Sequence, residues 1–291
     1  MQESDSFKFS NFVAAFIDLL GQQDDLDGCG LLPVFTSEKD REAFLSVARE
    51  SIGAIQSLHN NFNTFYESFY DTQREYEVPP KLENDFKSVQ KTEVKFQRFS
   101  DGLVAYISLS EDSQSLPVNG LYSLIITCGS LCFVGLTTKK PLRAGIDLAW
   151  GIELNENELY GCVVSKAYRL ESQVAQYPRV VVGNEVVQYL TYLANENEDD
   201  LHTKYNRVMA NVCLKMLGTD SDGQYIVNYL GDYYRENIAN SIDKDAFDDA
   251  YSYIEDQEKL YNKQDNAKLL SRYRHLKSYY DFYKTKWKSN V

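Results

Sequence analysis

From Asn11 to Leu20 the chain reads Asn-Phe-Val-Ala-Ala-Phe-Ile-Asp-Leu-Leu, an apolar run broken by one carboxylate and closed by Gly21. A short apolar run bounded by glycine predicts a buried strand. The Gly/Asp-rich stretch Gly21–Pro33 reads as loop. Apolar Phe44, Val47, Ala48, Ile52, Ile55, Leu58, Phe62, Phe65 and Phe69 then recur at helical spacing, which predicts a long helix. Ser37 and Asp40 resemble a capping box at its start, and Pro79-Pro80 ends the segment. From Thr92 the period changes: Val94, Phe96 and Phe99 on one side, and Leu103 to Ile107 on the other, flank Ser100-Asp101-Gly102. Two β-like runs around Asp-Gly predict a hairpin. Leu121–Leu136 reads as a buried helix, Leu142–Ala149 as a strand, Gly161–Ser172 as a helix and Val180–Val182 as a strand. Strands alternating with helices point to an α/β or α+β sheet domain.

After Gly183 the only further strand-like run is Tyr225-Ile226-Val227, and helix-favouring, tyrosine-rich sequence dominates. Residues 184–291 therefore read as a helical extension. A packing or oligomerisation element fits it better than a second catalytic domain.

Composition narrows the chemistry. The chain has 291 residues, of which 43% are hydrophobic and 25% charged, enough to bury a core. Thirty Lys+Arg against 43 Asp+Glu give a net charge of −13, which disfavours a nucleic-acid or anionic-membrane surface. An anionic small substrate would need metal ions or a few placed cations. Five cysteines without a CxxC pair and three scattered histidines offer no zinc site. Cys128 and Cys132 read as core packing, and the cysteine usage fits a reducing compartment. The start lacks the features of a signal peptide. Leu121–Leu136 is interrupted by small polar residues and shorter than the ~20 residues of a membrane span. The expectation is a soluble, cytoplasmic protein.

Two acids stand out. Asp18 lies inside the apolar first strand, where an unpaired buried charge costs several kcal/mol. Asp101 sits at the tip of the hairpin. Each alone has a plain structural reading, as a strand-end or turn residue. Together they suggest two carboxylates on adjacent strand ends, a way to hold divalent metal for phosphoryl chemistry.

At this point the sequence resembles the class III nucleotide cyclases. Phe16-Ile17-Asp18-Leu19-Leu20-Gly21 resembles the family's first metal motif, and Phe99-Ser100-Asp101 its second. Leu142-Arg143-Ala144-Gly145-Ile146 is similar to the R-x-G-I strand, and the stretch Tyr160 to Glu171 resembles the helix G-x-x-V-N-x-A-x-R-L. Pro178 to Val182 matches the strand that follows. The five fragments occur in order across roughly residues 10 to 183. Within the family the chain resembles most the bacterial pyrimidine cyclases of Pycsar anti-phage systems.

The resemblance implies an α+β, ferredoxin-like catalytic domain over residues 8–183. It would carry a long helical insert at about 37–78 and be followed by the 184–291 extension. It implies a homodimer with two interfacial sites and a separately encoded cyclic-nucleotide effector. Asp18, Asp101 and the main-chain carbonyl of Leu19 would hold two Mg²⁺ or Mn²⁺ ions. Arg169 of the neighbouring subunit would meet charge at the α-phosphate. Ser165 shares its helix face and replaces the family's ribose-orienting asparagine. Gln97 and Glu158 stand where adenylate cyclases carry lysine and aspartate, so the base contacts suit a pyrimidine edge rather than adenine. The implied reaction is conversion of UTP to 3′,5′-cyclic UMP and pyrophosphate. CTP to cyclic CMP, or a catalytically silent binding module, are the alternatives. A diguanylate cyclase is disfavoured, because no G-G-D/E-E-F-type turn is present. The G-x-K-G turn expected after Val182 is missing, which leaves the β- and γ-phosphates to a cation such as Lys166 or Lys277.

Overall fold

A computed structural model describes residues 9–21, 34–70, 92–99, 101–109, 116–155, 157–237 and 245–288. The loop read at residues 22–33 with Cys29, the Pro79-Pro80 stop, and Ser100 of the second metal motif lie outside them.

Strand β1 (Phe9–Leu19) is central because both of its faces are apolar. Val13, Ala15, Ile17 and Leu19 enter the main core, while Phe12, Ala14 and Phe16 enter a smaller cluster on the other face. That is the two-residue alternation of an extended chain. Helix α1 (Glu38–Tyr70) follows. The Ser37 hydroxyl accepts from the Asp40 amide at 3.2 Å, as expected of a cap, but the Asp40 carboxylate reaches back to Thr36, one residue earlier than a capping box requires. Strands β2 (Lys95–Arg98) and β3 (Gly102–Ser108) form the hairpin. Helix α2 (Pro117–Thr137), strand β4 (Leu142–Asn155), strand β5 (Glu158–Tyr160) and helix α3 (Cys162–Arg169) come next. A π-helical turn over Leu170–Val174 then leads into β6 (Val180–Val182).

The strand order β2-β3-β1-β4, all antiparallel, with a helix after β1 and another after β3, is that of a ferredoxin-like split β-α-β fold. The fold class is thus α+β, with one parallel pair, β4 with β6. Strand β4 runs to Asn155 rather than stopping at Ala149. Its outer half pairs with the start of β1 and with β5 and forms a projecting arm.

The C-terminal part is mainly helical: α4 (Asn184–Asn195), α5 (Leu201–Lys215), α6 (Asp232–Asn237), α7 (Ala246–Lys263) and α8 (Ala267–Lys288). It also contributes a hairpin, β7 (Leu217–Thr219) and β8 (Tyr225–Val227), whose β8 pairs antiparallel with β6. One sheet and one core therefore cross residue 183.

Helix α2 is apolar on every side because it is covered on every side. It packs between the sheet, α1 and the C-terminal helices, and nearly all of its residues are buried. At 21 residues it exceeds the apolar stretch read from sequence and is long enough to cross a membrane. Protein instead covers 89% of its apolar window. Cys128 and Cys132 are buried in it as core residues, and burial raises both thiols far above the ordinary range.

Candidate active site

The helices α1, α2 and α4 cover one face of the sheet. Among the described residues, the other face over β1 and β4 is covered by α3 and the π turn. Asp18 points to this thinly covered face, in register with Phe16 and Ala14. Its cross-strand neighbours are Gly102 on β3 and Arg143 on β4. Asp101 immediately precedes Gly102 in a tight turn closed by Phe99 N to Gly102 O at 3.1 Å and Gly102 N to Phe99 O at 3.3 Å. Residues 83 positions apart in sequence thus meet at one strand end. A β-carbon on Gly102 would lie 2.9 Å from the Ile17 carbonyl, so the glycine permits the close approach.

The electrostatics follow from that geometry. Burial raises the Asp18 carboxyl above its usual range, the Arg143 guanidinium opposes the rise, and the nearby Asp101 carboxylate adds to it. Arg143 donates to Asp18 at 3.3 Å and through Nε to Glu171. Glu171 is buried in the π turn. Burial moves its carboxyl up to about 7, against the pull of Arg143. Neither Arg143 nor Glu171 was given a role from sequence. An arginine heading an apolar strand was the available signal, the same one that singled out Asp18.

Among the described residues no group of three or more His, Cys, Asp or Glu side chains is clustered for a metal ion. The donors that do converge are two aspartates, all-oxygen and mutually repelling, which suits Mg²⁺ or Mn²⁺ completing their shells with water and phosphate oxygens. The Leu19 side chain is buried in the main core while its main chain lies at the same strand end.

Ser165 and Arg169 lie on the solvent side of α3, opposite Val163 and Ala167, which pack on the sheet. Arg169 has no ion pair among the described residues. Among the described residues no hydrogen bond or ion pair joins it to the aspartates. Gln97 lies on the Asp18 face, and its Oε1 is buried with no hydrogen-bond partner among the described residues. Glu158 is exposed on the β4–β5 arm, where Asn155 donates to it at 2.6 Å. No hydrogen bond joins Gln97 to Glu158. Between them lies a group that sequence reasoning passed over: Glu153 accepts from Lys95 at 2.8 Å and from the Tyr106 hydroxyl at 2.9 Å.

Lys166 is committed to an ion pair with Glu185, beside buried Asp147. The Asp147 carboxyl is pushed up to about 6, by burial first and by the Glu185 charge. Its protonated form is therefore favoured by folding. This contribution to stability is complete below the ordinary range near 3.8 and is lost as pH rises through about 6. Asp147→Asn is expected to flatten that part of the stability–pH profile, worth on the order of 2 kcal/mol. Urea melts between pH 4 and 7 check this, and parallel profiles for the two proteins would refute it.

No family model matches this chain, and no curated protein matches it. Among solved structures it is similar to a class III adenylyl cyclase-like ATP-binding protein from Pseudomonas aeruginosa, at 11% identity and a TM-score of 0.39. That likeness covers 86% of this chain and 44% of the other, so the chain spans less than half its length. At that level the weight rests on the strand order and the side chains themselves.

Proposed function

We propose that the protein is a pyrimidine nucleotide cyclase, converting UTP, or alternatively CTP, to the 3′,5′-cyclic monophosphate and pyrophosphate. The observation that carries this reading is the convergence of Asp18 and Asp101 at one strand end on the open face of the sheet. The two carboxylates and the Leu19 carbonyl would hold two divalent ions, which when bound lower the pKa of the attacking 3′-hydroxyl and offset triphosphate charge. Arg143 keeps Asp18 oriented, and Glu171 keeps Arg143 in place. The orphaned Gln97 Oε1 is an acceptor for a base N–H.

Arg169 and Ser165 serve the site of a second copy, because they face away from their own sheet and Arg169 has no ion pair among the described residues. A homodimer then completes two equivalent sites. The exposed apolar side chains of the arm fit such an association: Trp150, Leu154 and Tyr160, with Phe9 stacked on Trp150. In this reading the product is a cytoplasmic second messenger in anti-phage defence, acting on a separate effector.

Incubation of purified protein with each of the four nucleoside triphosphates and Mn²⁺, with products identified by mass, tests the assignment. Cyclic UMP or cyclic CMP is expected. Nucleotide binding with no cyclic product from any of the four would instead identify a silent binding module.

A further inference from the structure

We propose that Lys95, clamped by Glu153 and the Tyr106 hydroxyl, donates to the O4 carbonyl of a uracil base while Gln97 beside it accepts the N3–H, so that the site takes UTP over CTP. The proposal rests on the cyclase reading and names the base for it.

Register brings these residues together. Lys95 lies opposite Tyr106 and Gln97 opposite Val104 on β3, and Tyr106 and Val104 lie opposite Ala14 and Phe16 on β1. Residues in register point to one side of a sheet, so Lys95, Gln97 and Tyr106 stand with Asp18 on the thinly covered face. From β4 the arm adds Glu153, whose partner on β5 is Leu159. Leu159 is buried in one cluster with Ala14, Val104 and Tyr106, which puts Glu153 on this face as well. Glu158 and Tyr160 flank Leu159, are exposed, and point the other way by strand alternation. The arm acid that shares a face with Gln97 is therefore Glu153 rather than Glu158.

The Glu153 carboxylate is already engaged. It accepts from Lys95 at 2.8 Å on each oxygen, from the Tyr106 hydroxyl at 2.9 Å and from the Asn157 amide at 3.4 Å. Burial alone would raise its carboxyl, but the bonds from Lys95 and Tyr106 and the Lys95 charge hold it below the usual range. It is thus ionised and fixes Lys95 in place. An ammonium has three protons, so two directed at Glu153 leave a third, and the Lys95 side chain is 28% exposed. Two positions along the same strand, Gln97 Oε1 is buried with no hydrogen-bond partner among the described residues. An amide oxygen shut away from water costs free energy until a donor reaches it. The cluster therefore offers one fixed donor and one unmet acceptor side by side.

Uracil presents the complement of that pair: O4, the carbonyl not crowded by the ribose, next to N3–H. Cytosine in the same seat would set its 4-amino group against the ammonium and its bare N3 against the amide oxygen. Donor would face donor and acceptor would face acceptor, the kind of mismatch that rejects a near-isostere.

Initial rates of the full-length protein with Mn²⁺ and either UTP or CTP test this, with binding of inorganic tripolyphosphate as the base-free control. Wild-type protein is expected to favour UTP by at least roughly tenfold in kcat/KM. Lys95→Met is expected to lower kcat/KM for UTP by roughly ten- to a hundredfold and to leave CTP turnover and tripolyphosphate binding near wild type. Lys95→Met combined with Glu153→Gln, which strands no charge, should behave alike and guards against a folding artefact. A wild-type preference for CTP overturns the assignment while the cyclase reading stands. So does a UTP-to-CTP ratio that Lys95→Met does not move, and equal losses for UTP, CTP and tripolyphosphate would make the role structural. If wild-type protein forms no cyclic product from any nucleoside triphosphate, the cyclase reading itself fails, and the base contact falls with it.

Discussion

Asp18→Asn is expected to lower the proposed cyclase turnover by roughly a thousandfold or more and to leave the thermal midpoint unchanged or raised. The two halves of that expectation have one cause. Burial and the neighbouring Asp101 already raise the Asp18 carboxyl, which means that folding works against its ionised form. An amide of the same shape removes that opposition, and Arg143 still keeps its bond to Glu171. A residue retained against its own stability belongs to function. Turnover assays with a calorimetric melt of both proteins decide the matter. Activity near wild type removes Asp18 from the site, and a large drop in the midpoint would make it a structural residue.

Gly145→Ala is expected to destabilise the fold by about 2–4 kcal/mol. At Gly145 the backbone of α3 and the π turn lies directly on β4. A β-carbon there would overlap the Ala167 carbonyl and lie 2.6 Å from both the Glu171 amide and the Leu170 β-carbon. Two of these three atoms are main chain, so no side-chain rotation relieves the overlap. The helix must lift, and Glu171 leaves Arg143 with it, so activity should fall together with stability. Gly53→Ala, in helix α1 with nothing within 4 Å of the added carbon, is the control. Urea denaturation gives both values, and a Gly145 variant as stable as the Gly53 variant would contradict the close packing described.

What the sequence made legible was local. The glycine-bounded apolar run holding Asp18, the Asp-Gly hairpin and the periodicity of α1 each declare themselves within a few residues. They are enough to place Asp18 and Asp101 on neighbouring strand ends, because hairpin and strand registers follow from pattern. The Arg143–Glu171 bond was not legible. It joins residues 28 apart, and the position of Glu171 depends on a π-helical turn that has no periodic signature. The same holds for the β7–β8 hairpin, whose short strands gain their order from pairing with β6. Arg272 looked like any other charge on a helix. Only the fold shows that its Nε is buried without an acceptor among the described residues.

Helix α2 carries a consequence for biogenesis. Its outward side is closed by residues made much later: Tyr205 bonds Asn119, Tyr234 reaches the Ile125 and Ile126 carbonyls, and Trp287 lies against Phe133. Until α7 and α8 have been made, the side of this apolar helix that they cover stays open. A nascent chain halted before α7 should therefore depend on a chaperone or precipitate, whatever the state of the N-terminal half.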